Sequence, residues 1–285
     1  MSQISKNNNP QIINVGVIGN PIGHSKSPLI HNFFLKKFNI NAIYDAYKIS
    51  TEKELTEFVD TVRNNNWAGF NITIPHKQAI IPFLDHVDPI VEIVQACNTV
   101  VVKNGQLYGH NTDAEGFYYP LSNHSIKSAI VLGNGGASRA VLYQLCKESV
   151  KTICLVARDH SKSAALVDQL NSQFGNRIQT MLFDELNNNE AAIRQYQLVV
   201  NTTSVGMNAN DDPFGCIHLI SSSQIYYDLI YNPWETKMAR ICKENGATLI
   251  NGAIMLAHQG ALAFQLFFNQ LPSTEAMHQL IYKGA

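Results

Sequence analysis

Residues 129–145 read AIVLGNGGASRAVLYQL, an apolar run that stops at Gly133 and passes into a helical pattern near Ala137. A chain that turns from a buried strand into a helix over so few residues needs glycine in the turn. Gly133 allows the tight bend, and Gly135 lets backbone approach a pyrophosphate. Ser138 stands where a small residue permits close helix–strand packing. The spacing approximates the dinucleotide pattern G-x-G-x-x-G/A, and the helix N-terminus behind it offers N–H donors to phosphate. Apolar strand-like runs and helical stretches continue downstream, through KTICLVAR, AALVDQLNSQFG, QYQLVVNTT, IYYDLIY and ATLINGA. That series predicts a doubly wound domain.

A second series precedes it. IINVGVIG is a buried strand candidate, SPLIHNFFLKKFNI has helical spacing, AIYDAYKI is strand-like, TEKELTEFVDTVRNNN is an amphipathic helix, and WAGFNITI is again a strand. The alternation predicts a parallel or mostly parallel sheet built from β-α-β units. Residues 252–282 read as two helices, which cannot form a core alone and must pack on one domain or bridge both. Two α/β domains with a ligand cleft between them follow.

Composition narrows the partners. The 285 residues are 45% hydrophobic and 15% charged, with net charge -1. No basic excess exists to replace phosphate counterions, so nucleic acid is not expected as a partner. The start MSQISKNNNPQ lacks the apolar core of a signal peptide, and no apolar run is long enough to span a bilayer. Five cysteines without a C-x-x-C read as reduced thiols in a cytoplasmic protein. The ten histidines show no metal-ligand spacing, so no metal is expected.

Polar residues cluster where the strands end. In GNPIGHSKSPLIHN, Ser25 and Ser27 stand two apart before a helix, with Pro28 at its first position. Ser27 in the N-cap position would leave Ser25 without a structural task, whereas an extended loop would aim both hydroxyls at one anion. In GFNITIPHKQ, Asn71 and Thr73 share one strand face and Ile72 and Ile74 the inward one, with Lys77 just past the strand end. Asn98 lies in ACNTVV, and Asn111-Thr112-Asp113 opens a helix, a run that also suits capping. After the strand KTICLVAR, Arg158 and Lys162 favour a ribose 2′-phosphate. Asp159 suits either a free 2′-hydroxyl or a helix start.

Six blocks, NPIGHSKSPLIHN, FNITIPHK, ACNTV, GHNTDAEGF, GNGGASRA and NGAIMLAHQGALAF, together resemble the shikimate dehydrogenases in the family's order and approximate spacing. The resemblance implies an N-terminal α/β substrate domain completed by C-terminal helices (residues 1–112 plus 252–285) and a Rossmann-type NADP-binding domain (residues 113–251). It implies reversible reduction of 3-dehydroshikimate to shikimate with NADP(H), in aromatic amino acid (chorismate) biosynthesis, by a monomer or homodimer. Under it, Ser25 and Ser27 hold the substrate carboxylate, while Asn71, Thr73, Asn98 and Gln259 hold the ring hydroxyls. Tyr231 matches a substrate-site tyrosine, and Lys77 and Asp113 match the catalytic pair. Gly133, Gly135, Gly136, Ala137 and Ser138 match the phosphate loop, and Thr203, Gly252 and Met255 fall at the nicotinamide end. The family's Asn-Arg-Thr after the second Rossmann strand is Ala157-Arg158-Asp159 here. That departure leaves open a dual-specificity quinate/shikimate dehydrogenase accepting NAD. The residues suit a ketone reduction, in which Lys77 donates the proton and Asp113 orients it.

Overall fold

The computed structural model describes residues 12–208, 210–211 and 214–284. The polar N-terminal stretch MSQISKNNNPQ, read above as no signal peptide, lies outside the described residues. The first half begins with β1 (Ile13–Gly19), α1 (Ser27–Lys37), β2 (Ala42–Lys48), α2 (Glu52–Asn64), β3 (Trp67–Ile72) and α3 (His76–Ala79). It continues with β4 (His86–Val87), α4 (Pro89–Val94), β5 (Thr99–Lys103), β6 (Gln106–His110) and α5 (Asp113–Tyr118). Local chemistry accounts for these elements. In α2, the Thr51 hydroxyl accepts from the Glu54 N–H, and Leu55, Phe58, Val59 and Val62 recur at helical spacing on the buried face.

The strands pair in the order β2-β1-β3-β5-β6-β4. β1 pairs in parallel with β2 and β3, whereas β5 runs antiparallel to both β3 and β6. Asn104 and Gly105, both at positive φ, make the β5–β6 hairpin turn.

The second half carries β7 (Ser128–Leu132), α6 (Gly136–Lys147), β8 (Thr152–Ala157), α7 (Ala164–Phe174), β9 (Ile178–Leu182) and α8 (Phe183–Asn188). β10 (Leu198–Asn201), β11 (Ile225–Asp228), α9 (Lys237–Glu244) and β12 (Thr248–Asn251) complete it. Its sheet is parallel throughout, in the order β12-β11-β10-β7-β8-β9, which is the doubly wound arrangement. The topology reverses between β7 and β10, and ligands bind such sheets at that crevice.

The chain then returns through α10 (Gly252–Phe268) and α11 (Thr274–Lys283). Ala253, Ala257, Ala261, Phe264, Met277 and Ile281 join Val15, Val17, Ile30 and Phe34 in one core, so the C-terminal helices cover the first sheet. α10 also packs on α5, the helix that leaves the first half for the second.

His31 sits in that core, 1% exposed, with its ring 4.1 Å from the Tyr44 ring. Burial lowers its pKa from 6.5 to about 3. The unfolded chain therefore binds a proton below about pH 6.5 that the folded protein refuses until about pH 3. Stability is intact above that window and falls as pH drops through it, by about 2 kcal/mol at pH 5. We expect the urea midpoint of the wild type to fall between pH 7 and pH 5, and His31→Phe, which keeps a stacked ring, to flatten that slope. Equal slopes would contradict a neutral buried histidine.

Candidate active site

Lys77 and Asp113 stand where strands of the first sheet end. β3 stops at Ile72, and three residues later α3 opens with Lys77 as its second residue. The Lys77 carbonyl accepts the Cys97 N–H at 2.8 Å, which fixes that short helix against the start of β5. On the neighbouring strand, β6 ends at His110 and the chain enters α5 through Asn111-Thr112-Asp113. The Asn111 Oδ1 accepts the N–H groups of Asp113 and Ala114 at 3.1 and 3.3 Å. Asn111 therefore does the capping, and the Asp113 carboxylate is free for another task.

That task is Lys77. Its Nζ donates to Asp113 Oδ2 at 2.6 Å, with the two side chains 14% and 7% exposed. Asn98 Nδ2 lies 2.9 Å from both Asp113 Oδ1 and Thr112 Oγ1, and 3.3 Å from Gln259 Oε1 of α10. Asn98 Oδ1 accepts the Thr112 N–H at 2.8 Å, so the amide orientation is set from both ends. Asn71 extends the cluster: its Nδ2 donates to Thr99 Oγ1 at 2.9 Å and its Oδ1 accepts the Tyr44 hydroxyl at 2.7 Å. Sequence reasoning singles out neither Tyr44 nor Thr99, since a tyrosine in an alternating strand and a threonine at a strand start carry no signal of their own.

Two local expectations are corrected. α1 starts at Ser27 with Lys26 in the N-cap position, so Ser27 is not the cap. Instead the Ser25 Oγ accepts the Ser27 N–H at 3.3 Å, while Ser27 is buried beside Tyr44. The Lys26 backbone between the two serines lies beside the Tyr231 hydroxyl, which brings the Tyr231 loop to this turn. Ile74 does not face inward: β3 has already ended, and Ile74 is 64% exposed. Thr73 lies against Gly19 at the end of β1.

The glycine turn faces this cluster. Gly133 has φ +103°, and a Cβ there would stand 2.8 Å from Thr203 Cγ2, so glycine is required on both counts. At Gly135 a Cβ would meet nothing within 4 Å, which leaves open space in front of the α6 N-terminus. At Gly136 a Cβ would meet the stem of Lys77 at 3.3 Å, so the phosphate loop and the lysine are neighbours. Buried Ser138 donates to the Gly135 carbonyl at 2.7 Å and closes the turn. This cradle fits a dinucleotide pyrophosphate.

At the end of β8, Arg158 and Lys162 are exposed. The Asp159 carboxylate accepts the Ser161 N–H at 2.8 Å and the Ser161 hydroxyl at 2.7 Å, contacts that hold its pKa below the usual range. Both its oxygens are thus engaged within the turn. Gly252 and Met255 are buried at the start of α10. Among the described residues no group of three His, Cys, Asp or Glu could hold a metal ion, and no helix is long and apolar enough to cross a membrane. A cavity of about 270 Å³ beside Asp228 and Thr236 includes neither Lys77 nor Asp113.

A mostly parallel substrate-side sheet, a doubly wound partner with a dinucleotide cradle, and a buried Lys–Asp pair between them define a nucleotide-dependent oxidoreductase. The substrate binding domain model of shikimate dehydrogenase matches residues 17–100, and the shikimate 5'-dehydrogenase C-terminal domain model matches residues 253–282. A Bacillus cereus protein named shikimate dehydrogenase (NADP(+)) is 38% identical over 276 residues, covering 94% of this chain and 97% of that one. The Thermus thermophilus shikimate 5-dehydrogenase, solved with NADP(H) and shikimate, superposes with TM-score 0.83 at 32% identity, over 96% of this chain and 100% of its own. Quinate dehydrogenase from Corynebacterium glutamicum, solved with NAD, gives TM-score 0.86 at 27% identity, over 95% and 99% of the two chains. The chain belongs to the shikimate dehydrogenase family.

Gly252 supplies a test of the geometry at the start of α10. A Cβ there would stand 2.1 Å from the Leu229 carbonyl oxygen, a backbone atom that cannot rotate away. Gly252→Ala should destabilise the protein by about 1–3 kcal/mol, read as a lower melting temperature. An unchanged melting temperature would show slack between β12 and the loop after β11.

Proposed function

We propose that this chain catalyses the reversible reduction of 3-dehydroshikimate to shikimate with NADP(H), in aromatic amino acid (chorismate) biosynthesis. The observation that carries the reading is the Lys77–Asp113 contact at 2.6 Å, buried beside the glycine turn. Ser25 and Ser27 hold the substrate carboxylate, with Tyr231 beside the backbone between them. Asn71, Thr73, Asn98 and Gln259 take the ring hydroxyls. A site lined by so many buried hydrogen-bonding groups rejects analogues that leave them unpaired.

Bound NADPH supplies the hydride. Lys77 holds the proton on Nζ: one of its three N–H bonds points to Asp113, and the others are available to the carbonyl oxygen of the substrate. It gives that proton to the developing alkoxide and recovers it from the hydroxyl in the reverse direction. Asp113 accepts on both oxygens, from Lys77 and Asn98, and so orients the ammonium.

Gly133, Gly135, Gly136, Ala137 and Ser138 hold the pyrophosphate, and Thr203, Gly252 and Met255 border the nicotinamide. Arg158 and Lys162 meet the 2′-phosphate, since Asp159 is engaged by Ser161 rather than free to select a 2′-hydroxyl. Residues 1–112 and 252–285 form the substrate domain and residues 113–251 the cofactor domain. We assign the enzyme to the cytoplasm as a monomer or homodimer. The five cysteines, all buried and unpaired among the described residues, suit a reducing compartment.

Initial rates with shikimate and quinate, each with NADP and with NAD, test this reading. Shikimate with NADP should be strongly preferred, and Lys77→Ala should lower kcat by about 10²–10⁴-fold with the circular dichroism spectrum unchanged. Comparable rates with NAD or quinate would make the chain a dual-specificity quinate/shikimate dehydrogenase. No turnover of any pair would overturn the enzymatic reading.

A further inference from the structure

The loop after β11 carries Tyr231, yet the residue that organises it is Asp228, the last of the strand and 3% exposed. Its Oδ1 accepts the Asn201 Nδ2 and the Ile230 N–H, each at 3.1 Å. Its Oδ2 accepts the Thr236 hydroxyl at 2.7 Å and the Tyr226 hydroxyl at 3.3 Å. Every partner donates, so this position requires an acceptor on both atoms.

Two of those partners lead to different parts of the site. Asn201 ends β10, and its Oδ1 accepts both the N–H and the hydroxyl of Thr203, at 3.1 and 2.7 Å. Thr203 in turn lies over Gly133 of the phosphate turn. On the other side, Ile230 and Thr236 bracket Tyr231, which reaches the Ser25–Ser27 turn through Lys26. The two loops touch: a Cβ on Gly206 would lie 3.2 Å from Thr236. The cavity of about 270 Å³ borders Asp228, Ile230, Trp234 and Thr236, so the loop is not packed solidly on that side. Hydrogen bonds to one carboxylate therefore help set its shape, together with the packing of Tyr231 and Trp234 on the first core.

We propose that Asp228 is a positioning residue that holds the Thr203 loop of the cofactor side and the Tyr231 loop of the substrate side in one arrangement. The inference rests on the functional reading above, in which Thr203 borders the nicotinamide and Tyr231 the substrate. It gives the carboxylate two separable arms. Asn201 transmits to the cofactor and Thr236 to the substrate, while neither touches the Lys77–Asp113 pair.

Steady-state kinetics with shikimate and NADP on full-length wild type, Asp228→Asn, Asn201→Ala and Thr236→Val test it. Asp228→Asn turns an acceptor into a donor facing donors, and should raise KM for both substrates by about fivefold or more. Asn201→Ala should raise mainly the NADP KM, and Thr236→Val mainly the shikimate KM. If Asp228→Asn does not fold, the single-arm variants decide the matter by the same split. Lower melting temperatures with both KM values unmoved would reduce Asp228 to a stabilising residue and overturn the proposal. Equal effects of the two single-arm variants on both substrates would also overturn it. A wild type that turns over no shikimate would sink the functional reading itself, whereas a competent wild type with unmoved variants sinks only this inference.

Discussion

The side-chain amide of Asn98 is where the Lys77–Asp113 pair and the neighbouring polar groups meet, because it is buried and its partners come from distant parts of the chain. It bridges the start of β5, the start of α5 and the middle of α10. By bonding Asp113 Oδ1 it leaves Oδ2 directed at Lys77. A buried donor or acceptor left without a partner costs about 1–3 kcal/mol, so Asn98, Thr112, Asp113 and Gln259 hold or fail together. Lys77 is thereby positioned by tertiary structure, on a helix too short to place it alone.

The two sheets serve this cluster from opposite sides. β3 and β6 end beside Lys77 and Asp113, and β7 ends in the glycine turn that packs against the lysine stem. α5 begins at Asp113 and then packs on both α6 and α10, so the helix that leaves the first half also carries the partner of Lys77. The small residues along α10 allow that close approach: Ala253, Ala257 and Ala261 are all fully buried. Fold and site are the same set of contacts seen at two scales.

Much of this was legible in the sequence because it depends on backbone constraint. A glycine that must adopt φ +103° under Thr203 announces itself in any strand-to-helix turn, and the apolar periods announced the strands on either side. Lys77 and Asp113 were legible as residues at strand ends, though only three dimensions bring them to 2.6 Å. What escaped was decided by tertiary contact. Ser27 has a capping residue's chemistry, yet it sits inside the helix and its hydroxyl turns to Tyr44. Ile74 follows the alternation of β3 but lies beyond the last ladder bond. Asp228 looks like any acid after a strand, and its four donors come from segments up to 27 residues away. The Asn104–Gly105 hairpin was readable from its dipeptide, and the expectation of an alternating β-α series passed over it.

The most direct measurement of the account's central claim is a double-mutant cycle on the hydride-transfer rate constant, using Lys77→Met, Asp113→Asn and the two combined. If the contact at 2.6 Å makes the pair a single proton-handling unit, the double variant should be no slower than the worse single variant by more than about threefold. Losses that multiply would show two residues acting independently and would contradict the account.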